Sequence, residues 1–126
     1  MPDLASIVRR ELKEAGEISF HRFMELALYC PNIGYYERGN GILGREGDFV
    51  TSVSSGSLFG QLLAFQFTSW CEDFSGLVHW VEAGAHDGKL AADILSVVRE
   101  GAPEVFDRVR YVIIEPSERR QSWQRE

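Results

Sequence analysis

Positive charge is in short supply in this 126-residue chain: thirteen Lys and Arg stand against nineteen Asp and Glu, a formal net charge of −6. A protein that grips a nucleic-acid backbone needs a basic stripe to neutralise phosphates, and here the basic residues are scattered. Their densest cluster, Arg119, Arg120 and Arg125, lies among Glu115, Glu118 and Glu126 and reads as a solvated helix face. No nucleic-acid partner is expected. Cysteine is scarce too. Cys30 and Cys71 form no CxxC pair, and the histidines lack metal-ligand spacing, so no metal site is expected. Two buried free thiols in a reducing compartment follow. No apolar run approaches a transmembrane length. The opening MPDLASIVRREL has no apolar signal-peptide core. A cytoplasmic protein without a membrane partner is the expectation.

What is present is globular in composition, 44% hydrophobic and 25% charged. Asp3 can cap a first helix whose stripe is Leu4, Ile7, Val8 and Leu12, ended by Gly16. Ser19 can cap a second, with Phe20, Phe23, Met24, Ala27 and Leu28 as its buried face and Pro31 as its stop. The segment PNIGYYERGNGILGREGDFVTS holds five glycines and predicts an ordered irregular loop, with short strands around Tyr35–Tyr36 and Phe49–Thr51. A third helix is predicted over Ser57–Asp73, mostly buried. Phe59, Phe65 and Trp70 are expected in the core, as are Phe20 and Phe23. Tyr35 and Tyr36 either pack the loop or contact substrate. His21 and His79 carry no site signal.

Leu77–Ala83 then reads as a buried strand and Leu90–Val98 as the inner face of a fourth helix. Pro103–Phe106 reads as one more turn, and Val109–Ile114 as a second strand rich in β-branched residues. Pro116 and Ser117 suit the start of a final helix. Strand–helix–strand–helix order predicts parallel pairing in an α/β fold. The regions are 1–75, helical with the glycine-rich loop, and 76–126, the start of the sheet. Two strands leave apolar edges open. The sequence therefore looks like the N-terminal part of a larger protein, and the isolated chain is expected to form a homo-oligomer.

The candidate site is VEAGAHDGKLAADIL, Val81–Leu95. A strand runs through Glu82 into the turn Gly84–Ala85–His86–Asp87–Gly88, and a helix follows. Glycines let a ligand approach the backbone, and helix N-terminal amides attract polar groups. In open parallel sheets, ligands bind at the carboxyl ends of the strands. The second strand also ends in an acid, Glu115, suited to accept from ribose hydroxyls. The glycine spacing departs from the dinucleotide pattern GxGxxG. It comes closer to the E-x-G-x-G-x-G pattern of class I methyltransferases, with His86 at the middle glycine.

The stretches ISFHRFMELALYCPNIGYY, GREGDFVTS, LFGQLLA, VEAGAHDGKLAADIL and YVIIEPSERRQSWQRE stand in one order along nearly the whole chain. Through them the sequence resembles the N-terminal part of the MidA-like family of S-adenosylmethionine-dependent methyltransferases. That family includes the mitochondrial enzyme that methylates an arginine of a complex I subunit. The resemblance implies a Rossmann-like sheet with added N-terminal helices, S-adenosylmethionine as cofactor, and a protein substrate, with arginine as the expected acceptor, for the full-length enzyme. Motif I falls on Glu82, Gly84 and Gly88, with Ala85 and His86 of the same turn expected at the cofactor, and the ribose-binding acid on Glu115. The Gly47–Ser52 loop, with Asp48, Thr51 and Ser52, is expected near the cofactor. Two departures stand out. Val53 and Ser54 replace a common Pro-Glu, and His86 replaces a glycine; His86 either caps the turn, the preferred reading, or hydrogen-bonds the ligand. No catalytic residue is assigned, and the fragment alone is expected to be inactive. The alternatives are a non-catalytic binding or assembly module with half a methyltransferase fold, and a nucleotide-dependent Rossmann oxidoreductase.

Overall fold

The computed structural model describes residues 3–38 and 51–125. It divides into two compact units, Met1–Ile42 and Leu43–Glu126. In the first, α1 (Leu4–Ala15) starts where Asp3 accepts from the Ser6 amide at 2.8 Å and ends at Gly16, with φ +80°. Helix α2 (Phe20–Tyr29) is capped by Ser19, whose hydroxyl accepts from the Arg22 amide at 3.1 Å. Arg22 joins the two helices. Its Nη2 and Nε donate to the two Glu11 oxygens at 2.8 and 3.1 Å, and its Nη1 donates to Glu25 at 2.7 Å.

The end of α2 explains CPNIGYY. Asn32 turns left-handed at φ +65°. The chain doubles back, and the Tyr35 and Tyr36 amides donate to Ala27 O and Leu28 O at 2.8 and 2.9 Å, satisfying the last helix carbonyls. A Cβ on Gly34 would stand 2.5 Å from Cys30 N, so only glycine fits. Residues 35–36 form a turn rather than the expected strand. The two tyrosine rings meet edge to face at 5.1 Å, and Tyr36 leans on Tyr29 at 5.5 Å. Phe49 and Val50 lie outside the described residues.

In the second unit, α3 (Leu58–Cys71) packs on α4 (Lys89–Gly101). Strands β1 (Val78–Ala83) and β2 (Val109–Ile114) pair in parallel, from Val78 opposite Val109 to Ala83 opposite Ile114. Helices α5 (Pro103–Phe106) and α6 (Glu118–Trp123) complete it. Helix α3, counted with the N-terminal region in the sequence reading, thus groups with the sheet. Ile94 and Val98 of α4, Ala64 and Cys71 of α3, Trp80 of β1 and Val105 of α5 form the core. Arg108 fastens its rim, donating to Phe74 O at 2.7 Å, Cys71 O at 3.3 Å and Glu104 O at 3.3 Å.

Two expectations about burial change. Phe20, Phe23, Phe59, Phe65 and Trp70 are all exposed, Phe20 and Phe65 at 76%. Leu26 is the buried residue of α2. Helix α3 carries large apolar residues on its exposed side, Leu62, Phe65 and Trp70 among them, and the face it buries is its small-residue face, Gly60, Ala64 and Cys71. Close approach decides this: a Cβ on Gly60 would stand 2.6 Å from the Asp93 Cβ of α4. Likewise β1 is covered on one face. Val78, Trp80 and Glu82 point inward, while His79, Val81 and Ala83 are exposed. Both cysteines are free; Cys71 is buried and Cys30 only partly so.

Gly60→Ala forces α3 and α4 apart and should cost about 1–3 kcal/mol in urea unfolding. Gly101→Ala is the control, since nothing lies within 4 Å of its added Cβ. In the first unit, the bonds from Arg22 hold the Glu11 carboxyl below its ordinary value of 4.5. A carboxyl lowered on folding lends stability above that value and loses it as pH falls through the lower folded one. Acidification through that lowered value should therefore loosen α1 from α2. Exchange protection of the Arg22 Nε proton, followed by NMR, reads this, and constant protection to pH ~2 contradicts it.

Candidate functional site

Parallel pairing brings the two strand ends together. Past the last pair, Ala83 with Ile114, the Gly84 amide still donates to Ile114 O at 2.9 Å. The turn after β1 and the acid after β2 therefore leave the sheet side by side. The turn is unusual in its backbone: φ is +73° at Gly84, +52° at His86 and +78° at Gly88. All three glycine positions of the E-x-G-x-G-x-G pattern are thus left-handed, and His86 occupies the middle one at a conformational cost glycine would avoid. The Gly88 amide donates to Ala85 O at 2.8 Å. Nothing lies within 4 Å of where a Cβ on Gly84 would stand, so this side of the turn is open.

The side chain that caps the turn is Asp87, whose carboxylate accepts from the Lys89 amide at 3.1 Å. The preferred capping role of His86 is thereby corrected. Its ring meets Trp123 edge to face at 5.7 Å, and Arg119 lies 5.1 Å above the same Trp123 ring. The His86 Nδ1 also stands 3.7 Å from the Asp87 carboxylate.

Glu82 faces the core side of β1, where Tyr111 donates to its Oε2 at 2.9 Å. Burial raises its carboxyl above the ordinary carboxylate value; the Tyr111 bond pulls it down, and the nearby Asp87 charge raises it. Burial and the bond to Glu82 push the Tyr111 hydroxyl up in turn.

Glu115 is only 7% exposed. Its Oε1 accepts from the Ser117 amide at 3.0 Å. Its Oε2 is buried and has no hydrogen-bond partner among the described residues. Pro116 lies before α6, and Ser117 is its N-cap, the hydroxyl accepting from the Arg120 amide at 3.3 Å.

The structure thus brings Glu82, Gly84, Ala85, His86, Gly88 and Glu115 to one end of the sheet. Thr51 and Ser52 are exposed and bond locally: Ser54 Oγ donates to Thr51 O at 2.8 Å and the Ser55 amide to Ser52 O at 3.3 Å. Asp48 lies outside the described residues. Sequence reasoning missed Tyr111, Gln121, Trp123 and Gln124. Tyr111 is legible once the register is known, because it stands opposite Trp80, two residues from Glu82 on the same face. The α6 residues carry no sequence signal.

A parallel α/β unit with a glycine turn and a buried acid at adjacent strand ends is the opening of an open-sheet, ligand-binding domain. Residues 62–126 match the family described as "Putative S-adenosyl-L-methionine-dependent methyltransferase", and the chain belongs to that family. The MidA-like resemblance is borne out by its relatives. The chain is 38% identical to the mitochondrial protein arginine methyltransferase NDUFAF7 of Rattus norvegicus, over 69% of this chain and 20% of that protein. It is 31% identical to the Drosophila melanogaster homologue, over 90% of this chain and 26% of that protein. The crystal structure of a COG1565 superfamily member from Burkholderia thailandensis, bound to S-adenosyl-homocysteine, matches with a TM-score of 0.75 at 36% identity. That match covers 97% of this chain and 32% of the other. The chain therefore spans about a fifth to a quarter of these curated relatives. Membership in this family displaces the oxidoreductase alternative.

Tyr111→Phe removes the one donor from the described residues that offsets burial of Glu82. The Glu82 carboxyl, already raised, should titrate higher still. Because the folded state then favours the protonated form more strongly, the variant should lose about 1–2 kcal/mol at neutral pH and less below the ordinary carboxylate value. Urea melts at the two pH values, with carboxyl NMR titration, check both; an equal loss at both contradicts the coupling.

Proposed function

We propose that the Gly84–Gly88 turn and Glu115 hold S-adenosylmethionine, and that the whole protein passes its methyl group to a protein side chain, an arginine. The observation that carries the site is the Oε2 of Glu115, buried without a donor among the described residues. A carboxylate oxygen in that state is costly, and a ribose hydroxyl is a donor that relieves it. The second support is the open side of Gly84, where the left-handed backbone admits a ligand to van der Waals contact. The cofactor carries no phosphate, so the departure from the dinucleotide glycine spacing is no obstacle. Bound there, it supplies an electrophilic methyl group on its sulfonium. This chain's part is to orient it: Glu115 fixes the ribose, the turn fixes the amino-acid end, and Ala85 supplies a small buried wall. Asp48, Thr51 and Ser52 enter this reading through the family resemblance alone. Arginine as acceptor draws on the names of the relatives, and no catalytic residue is assigned.

Glu115→Gln is the discriminating change. The amide oxygen still accepts from Ser117, while the amide nitrogen replaces the orphaned acceptor by a donor. S-adenosylhomocysteine measured by calorimetry should bind about 1.5–3 kcal/mol more weakly to the variant. Equal affinity, or no binding to the unaltered chain, rejects the assignment.

A further inference from the structure

Helix α6 reaches back to both parts of the candidate site. Gln121 Nε2 donates to Glu115 O at 2.8 Å. Gln124 Nε2, at the helix C-cap, donates to His86 O at 2.9 Å, bridging 38 positions of sequence. The Gln124 side chain also lies over the turn: its Cγ would be 3.7 Å from a Cβ on Gly88. Trp123 adds the ring contact with His86. Two residues spaced by three share a helix face, so Gln121 and Gln124 serve as a pair.

The turn needs such support. Its own bonds are few and local, from Gly88 N to Ala85 O and from Lys89 N to the Asp87 carboxylate. His86 sits in a conformation disfavoured for a residue with a bulky side chain, and such a conformation persists only when its surroundings over-determine it. The side-chain amide of Gln124 supplies that from outside the turn, while the space beside Gly84 stays open.

We propose that α6 is a clip that sets the Gly84–Gly88 turn relative to Glu115, with Gln124 as a positioning residue. Gln124 shapes the turn from behind, and Gln121 ties the same helix to the acid. The consequence for ligands rests on the cofactor site proposed above: loosening Gln124 should weaken the grip on the amino-acid end and spare the nucleoside end.

The test is Gln124→Met, which keeps the length and the contact with Gly88 and removes the donor. Hydrogen exchange reads the clip without any ligand. The Gly88 and Lys89 amides should exchange about tenfold faster, the order expected for one net hydrogen bond lost. The Gly84 amide, held by Ile114 O, and the interior amides of α4 should keep their rates. Unchanged Gly88 and Lys89 rates overturn the proposal, and so does an acceleration spread evenly through α4 and the sheet. Calorimetry then uses two probes. S-adenosylhomocysteine should bind about tenfold more weakly to the variant, and adenosine equally to both proteins. An equal loss for the two probes overturns the positioning role. If neither probe binds the unaltered chain while the exchange pattern appears as stated, the cofactor reading fails and the clip stands.

Discussion

The parallel ladder between β1 and β2 is the constraint on which the rest depends. Its register sets Trp80 opposite Tyr111, and thereby Glu82 within reach of the Tyr111 hydroxyl. It also carries the two chains off the sheet together, with the Gly84 amide on Ile114 O as the last bond. A slip of one residue would turn Trp80 out of the core and His79 or Val81 into it. The same slip would part the turn from Glu115. Packing therefore supports the site: Trp80 lies against Phe67 at 5.3 Å between ring centroids, a contact that such a slip would break.

The helices hold the ladder through one seam. Gly60, Ala64 and Cys71 let α3 approach α4 at a distance where a methyl group has no room. Arg108 then anchors the end of α3 to the segment that leads into β2, through the carbonyl oxygens of Cys71 and Phe74. A guanidinium at helix C-terminal carbonyls also meets the negative end of the helix dipole. Strand, seam and anchor form one continuous support behind the glycine turn.

Much of this was legible in the sequence, for reasons that differ by residue. Asp3, Gly16 and Ser19 act through neighbours three or four positions away, and such local rules transfer directly to structure. Val109–Ile114 declared itself by β-branched composition, and the Glu82–Gly88 junction by its change from strand to helix pattern. Burial was less legible. Phe65 and Trp70 look like core by size, but the seam of α3 is chosen by shape, and the smallest residues won. Asp87 caps the turn and His86 takes a positive φ, and spacing alone reveals neither. Gln121 and Gln124 are ordinary surface-helix residues in sequence; only the return of α6 over the turn gives them partners 6 and 38 positions away.

The placement of the three tryptophans has a practical consequence. Trp80 is buried beside Phe67 in the core; Trp70 is 56% exposed on the outer side of α3. Trp123 stands between Arg119 and His86 at the turn. The protein thus carries an intrinsic fluorophore in each of three surroundings: an apolar interior, an apolar face open to solvent, and a polar contact at the strand ends. In single-tryptophan variants the emission of Trp80 follows loss of the core, that of Trp70 follows the covering of α3, and that of Trp123 follows the turn. Global unfolding, association and local movement at the strand ends become three separable optical signals from one chain.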